Sequence, residues 1–171
     1  MFASLGIPTY GIRACARVRE DREKLTRTTQ ELLIINLATS AVIYAVFFVS
    51  LFFVERFRQD ATLLLISSLS IILNTLGVTW LYSALEQYSY ITIRNIICKL
   101  LSIVLMFIFV HNPSDYIVYG AIAVVAAGGS NLWNFINLRK YISLRPVGHY
   151  NFKKHLQPIF VFFATSVAVS I

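Results

Sequence analysis

The chain has 171 residues, 57% of them hydrophobic and only 13% charged, with 15 Lys and Arg against 8 Asp and Glu for a formal charge of +7. Soluble chains run nearer a quarter charged, and a domain of this length leaves about a third of its surface exposed. A water-soluble globule is therefore excluded, and lipid must face much of the chain. The basic excess sits in gaps between apolar runs, with no aromatic-basic stripe and no nucleic-acid motif, which argues against a nucleic-acid partner.

Residues 1–12 read as the last turns of a helix. They are apolar but short, and the bases follow rather than precede them, so they do not form a signal peptide. Residues 11–31 are a basic connector with Arg13, Arg17, Arg19, Arg22, Lys24 and Arg27. A bilayer core of about 30 Å needs roughly 20 apolar helical residues, and the uncharged run 33–54 supplies the first complete span. Residues 55–60 form a short connector in which Glu55 and Asp60 balance Arg56 and Arg58. The second span, 61–85, is also uncharged. The third covers roughly 90–110 and carries Arg94 and Lys99 near its start. Residues 111–115 hold no Lys or Arg, and an uncharged fourth span follows over 116–138. A second basic connector, 139–155, carries Arg139, Lys140, Arg145, Lys153 and Lys154. A fifth span begins near Pro158 and is still apolar at Ile171, so both ends of the chain are expected to lie inside an element.

The expected fold is an all-α integral membrane bundle. These runs are too long for strands. In lipid the backbone must satisfy its own hydrogen bonds, which leaves helices or a closed barrel, and barrel strands alternate apolar and polar residues as these segments do not. Alternate connectors collect 13 of the 15 Lys and Arg on one side. The positive-inside rule assigns that side to the cytoplasm. Arg94 and Lys99 then lie near the cytoplasmic end of the third span, where long side chains reach the headgroups; a place in an aqueous cavity is the other reading.

Polar residues within the spans fall on single helical faces. The first span carries Asn36, Ser40 and Tyr44; the second Ser67, Ser70, Asn74 and Gly77; the fourth Ala123, Ala127, Asn131 and Asn134, with Asn137 nearby. Small and amide side chains serve close helix packing, or several such faces surround a polar cavity, and spacing does not separate the two. Such a cavity, with Trp80, would suit a sugar-like ligand. Glu86, just past the second span, is either solvated or paired with Arg94. Cys15 and Cys98 lack CxxC or metal spacing and read as free thiols. No nucleophile elbow, phosphate loop, dinucleotide fingerprint or zinc motif occurs, so neither enzymatic chemistry nor a cofactor is expected. Connector 139–158 mixes bases with Tyr141, Leu144, Tyr150 and Phe152 and suits the headgroup layer, broken in the middle by Pro146 and Gly148. Its expected job is to tether two halves of a bundle.

Several stretches resemble the polysaccharide transporter family, the Wzx-type flippases of the superfamily that includes multidrug/sodium antiporters. They are Gly6-Ile7-x-x-Tyr10-Gly11 with Arg17 and Arg22; Leu76-Gly77-x-x-Trp80-Leu81-Tyr82-x-Ala84-x-Glu86-x-Tyr88-x-Tyr90-Ile91-Thr92-Ile93-Arg94; Asp115-Tyr116-x-x-Tyr119; and Lys154-His155-Leu156-x-Pro158. The resemblance implies two bundles of about six helices around a central cavity, working by alternating access. The implied cargo is an undecaprenyl-diphosphate-linked oligosaccharide, moved across the bacterial cytoplasmic membrane for capsule, O-antigen or exopolysaccharide assembly. A polysaccharide polymerase and glycosyltransferases are the implied neighbours. The chain would run from the end of the second helix into the seventh. Residues 1–138 would be a partial N-terminal bundle, 139–158 a cytoplasmic linker and 159–171 the start of a further transmembrane helix. Full members are more than twice as long, so the chain is expected to be a fragment that does not transport alone. Asn74, Trp80, Arg94, Lys99, Asn131 and Asn134 are the candidate substrate contacts, with Arg94 and Lys99 facing the diphosphate.

Three other readings make different demands. A drug/cation antiporter needs a buried acid within a span, and none of the four complete spans contains one. A membrane scaffold needs its Asn and Ser faces fully occupied by neighbouring helices. A membrane-bound glycosyl- or acyltransferase needs a catalytic set at one interface, whereas His111, His149 and His155 are split between the two sides.

Overall fold

The computed structural model describes residues 6–55, 57 and 60–170. Residues 1–5, Arg56, Arg58, Gln59 and Ile171 lie outside the described residues, and with them the start of the first predicted helix and the bases of the 55–60 connector. In chain order the helices are α1 (Ile7–Ala16), α2 (Arg22–Phe53), α3 (Ala61–Leu76), α4 (Thr79–Ala84), α5 (Tyr88–Phe109), α6 (Tyr116–Val124), α7 (Ser130–Asn137) and α8 (Lys153–Ser170). A π-helical turn, Val125–Gly129, joins α6 to α7. No strand occurs among the described residues. Four segments are long and apolar enough to cross a bilayer: Arg22–Phe53, Ala61–Ala84, Tyr88–Phe109 and Pro113–Lys140. The protein is a multi-pass membrane protein.

Several boundaries differ from the sequence reading: α1 runs on to Ala16, α8 starts at Lys153 with Pro158 inside it, and two further differences have identifiable reasons. Helix α2 begins well before the apolar run because Asp21 caps it, accepting from the amides of Glu23 and Lys24 at 3.1 and 3.0 Å. An acidic Glu23 in the first turn also suits the helix dipole. Much of the predicted basic connector is thus the first turns of a long helix, with Arg22, Glu23 and Lys24 exposed and Leu25, Thr26, Thr28, Thr29 and Glu31 buried. The second span is broken rather than continuous. Helix α3 stops at Leu76, and Val78, buried and with φ +35°, turns the chain into α4. A β-branched residue in the left-handed region is strained, so packing must hold it there.

The core gathers at one end of the bundle. Ile7, Cys15, Leu25, Leu32, Leu81, Tyr82, Leu138, Ile142 and Ile159 form a single buried cluster drawn from α1, α2, α4, α8 and the 138–142 segment. Helix α1 is the centrepiece. A Cβ on Gly6 (φ +75°) would lie 2.6 Å from the backbone nitrogen of Phe163 in α8, and one on Gly11 would lie 2.8 Å from the Trp80 ring in α4. Both glycines of the Gly6-x-x-x-x-Gly11 pattern therefore mark close approaches on two sides of α1. Farther along, α2 and α5 turn large apolar side chains outward: Phe52, Phe53 and Phe107 are 85%, 83% and 79% exposed. In a bilayer that surface meets lipid, which costs nothing between apolar phases.

The connectors at the core end touch one another. Arg19, between α1 and α2, pairs with Glu86, between α4 and α5, at 2.6 Å. Gln30 of α2 holds the segment after α7: its Nε2 donates to the carbonyls of Ser143 and Arg145 at 2.9 and 2.8 Å, and its Oε1 accepts from the Val147 amide and the Tyr150 hydroxyl at 3.3 and 2.8 Å. Three connectors grouped by charge in the sequence are thus brought together in space. Glu86 pairs with Arg19 rather than with Arg94.

Candidate polar site at a broken helix

The break between α3 and α4 exposes backbone groups that ordinary helix would satisfy, and side chains of α7 fill the gap. Asn134 Nδ2 donates to the carbonyl of Gly77 at 2.5 Å and lies 3.2 Å from Thr79 Oγ1. Asn131 Nδ2 donates to Asn74 Oδ1 at 3.0 Å, and its own Oδ1 accepts from Thr79 at 3.4 Å. Gly77 makes this possible, since a Cβ there would lie 2.6 Å from Asn131 Cγ. The π-helical turn just before α7 shifts the facing of Ser130 and Asn131 relative to α6. Such turns recur at functional sites, as do discontinuous helices in transporters.

On the other flank stands Arg94. It lies on α5, is 6% exposed, and donates from Nη2 to Asn95 Oδ1 at 3.1 Å. The same oxygen accepts from Ser130 Oγ at 3.0 Å, which ties α5 to α7. The guanidinium stands 5.7 Å from the Tyr90 ring centre. Tyr90 stacks on Tyr82 at 5.1 Å, and the Tyr82 hydroxyl donates to the Asn134 carbonyl at 2.8 Å. Arg94 and the asparagine seam are thereby two ends of one connected network. Its Nε and Nη1, with Asn134 Oδ1 and the Tyr90 hydroxyl, are buried without a hydrogen-bond partner. Among the described residues no carboxylate forms an ion pair with Arg94. A buried cation with open donors is costly, and an anion would satisfy it.

The other predicted residues fall elsewhere. Trp80 is buried against Gly11 of α1, and Lys99 is exposed on α5. The α2 face serves packing. Asn36 donates to the Thr75 carbonyl at 3.2 Å, Ser40 meets the Thr75 hydroxyl at 2.6 Å, and Tyr44 donates to the Ser68 carbonyl at 2.6 Å. Both cysteines are free. Sequence reasoning missed Thr79, Asn95 and Ser130, which become visible only once the helix break and the π turn are known.

It also missed a buried acid. Glu31 lies on α2 with no exposed surface. Its Oε2 is 2.6 Å from His155 Nε2 and 3.1 Å from Lys154 Nζ, and its Oε1 accepts from the Asn151 amide at 2.7 Å. Glu31 lies just outside the predicted span 33–54, and the Asp21 cap extends α2 back past it, so the acid stands on the same helix as that span. The carboxylate is fully partnered by protein groups, unlike a vacant cation site.

The family profile described as "Polysaccharide biosynthesis protein" matches residues 1–171. Over 117 residues, 68% of the chain, the sequence is 28% identical to a Shigella dysenteriae protein described as "Putative O-antigen transporter", and the match spans 29% of that protein's length. No solved structure matches.

Proposed function

The chain belongs to the polysaccharide biosynthesis protein family, and on that premise we propose that it is part of a flippase carrying undecaprenyl-diphosphate-linked oligosaccharide repeat units across the bacterial cytoplasmic membrane. Asn74, Asn131 and Asn134 contact the sugar, and Arg94 contacts the diphosphate. The observation that carries this reading is Arg94: a buried guanidinium with two open donors, beside an amide seam and without an acidic partner. Amides suit hydroxyls, and a guanidinium suits phosphate oxygens through paired N–H donors. By the positive-inside rule the basic connectors belong to the cytoplasm, and this reading has the seam open toward that side, where lipid-linked units are built.

The alternatives fit less well. An antiporter site needs a carboxylate free to take a cation, and Glu31 is already held by Lys154, His155 and Asn151. A scaffold needs satisfied faces, and the Arg94 and Asn134 atoms are open.

The test uses the intact gene. Arg94→Ala is expected to lower translocation of a labelled lipid-linked oligosaccharide in reconstituted vesicles about tenfold or more, the worth of a charge-assisted hydrogen bond at ~1.5–3 kcal/mol. Arg94→Lys should recover part of it. Undiminished transport by Arg94→Ala would remove Arg94 from the substrate path. Normal delivery of repeat units to the outer leaflet in a deletion strain would sink the flippase reading itself.

A further inference from the structure

Glu31 and His155 do not stand alone. The other ring nitrogen of His155, Nδ1, lies 2.8 Å from the Tyr10 hydroxyl, so one imidazole joins α1, α2 and α8. We propose that Tyr10, His155 and Glu31 form a proton-operated latch that locks α8 against α1 and α2 while His155 is neutral. Protonation of the ring reverses its hydrogen bond to Tyr10, so that Nδ1–H donates and the Tyr10 oxygen accepts.

Hydrogen-bond accounting fixes the closed state. A neutral imidazole has one donor and one acceptor. An ionised Glu31 can only accept, so Nε2 carries the hydrogen, and Nδ1 accepts from the Tyr10 O–H. Lys154 and the Asn151 amide satisfy the rest of the carboxylate. Every group is then paired, and Glu31 and Lys154 cancel in charge.

A second ring proton breaks that balance at Nδ1. The new N–H points at a hydroxyl that was donating, so the Tyr10 proton must turn away and find another acceptor. The titratable groups around the contact are Cys15 of α1 and Arg17 just past its end, which act on Tyr10, Glu31 of α2, which acts on both Tyr10 and His155, and Lys154 of α8, which acts on His155. Lys154 opposes the extra positive charge on the ring, and Glu31 favours it. Burial is the largest influence on His155 and holds its pKa below the ordinary histidine value. A residue buried neutral in this way contributes stability that is present above the unfolded pKa of about 6.5 and is lost as pH falls through the lower folded value. The latch is tightest at neutral pH and loosens in acid, where the Tyr10 proton has lost its acceptor on the ring.

The chain carries its own reporters. Tyr10 neighbours Gly11, which touches Trp80, and the sequence holds only two tryptophans and three histidines. With Trp133→Phe, His111→Gln and His149→Gln, every indole signal comes from Trp80 and every imidazole signal from His155. In lipid nanodiscs, nitrogen-15 NMR should show the Nε2–H tautomer at pH 7 and one protonation below about pH 6.5. Trp80 emission should shift with the same midpoint. Adding Tyr10→Phe should leave the His155 titration in place and abolish the emission step. A His155 that is cationic or Nδ1-protonated at pH 7 would overturn the proposal. So would a ring that titrates while Trp80 emission stays constant.

Discussion

Gly11 on α1 meets the indole of Trp80 on α4 so closely that a Cβ on the glycine would lie 2.8 Å from Cε3 and 2.9 Å from Cδ2. The Trp80 ring is buried and has α1 directly against it, so neither partner can yield cheaply. Gly11→Ala is expected to destabilise the protein by ~1–3 kcal/mol through overpacking. Gly148→Ala is the contrast. Gly148 also has a positive φ, +74°, but a Cβ there would meet nothing within 4 Å, so its cost is conformational alone, about 1 kcal/mol. Thermal unfolding in detergent would rank the two. Equal losses would mean that the α1–α4 contact is looser than it stands.

Gln30 makes four hydrogen bonds to the segment that leads to α8. Gln30→Ala should free that segment, and trypsin should then cut after Lys140 several times faster than in the parent. Cleavage at an unchanged rate would show that the segment is held by other contacts.

Tyr82→Phe removes the hydroxyl that donates to the Asn134 carbonyl at 2.8 Å. The carbonyl is buried, so the loss should cost ~1–3 kcal/mol, the penalty of stranding an acceptor. The readout is the thermal midpoint, and a change within error would mean that water replaces the phenol.

The Asp21 cap gives α2 an acid-sensitive start. The amide of Lys24, donating to the Asp21 carboxylate, is the main cause that holds its pKa below the usual carboxylate value. A depressed folded pKa means that the stabilisation is present above the unfolded value of about 3.9 and is lost as pH falls through the folded one. Amide exchange at Glu23 and Lys24 should therefore accelerate, relative to the intrinsic rate, at low pH. Asp21→Asn keeps a capping oxygen without the titration and should flatten that pH dependence.

The helices and their grouping were legible in the sequence because bilayer thickness and charge placement act on whole segments. Asn74, Asn131 and Asn134 were legible for the same reason, as residues on shared helical faces. The break at Gly77 and Val78 was not, because an apolar run reads as one helix when a β-branched residue adopts the left-handed region. The pairing of Glu31 with His155 escaped notice because they are 124 residues apart, and each alone looks like part of a solvated basic connector. Arg94 was singled out, but its burial follows from the packing of α5 on the π turn, which no periodicity announces.

The grip of Gln30 on residues 143–150 has a mechanical corollary. A slack tether would pass on only tension, whereas an extended segment bonded to a long helix at several points passes on torque. Tilting α2 must therefore steer α8, and a load on α8 returns to α2 as leverage.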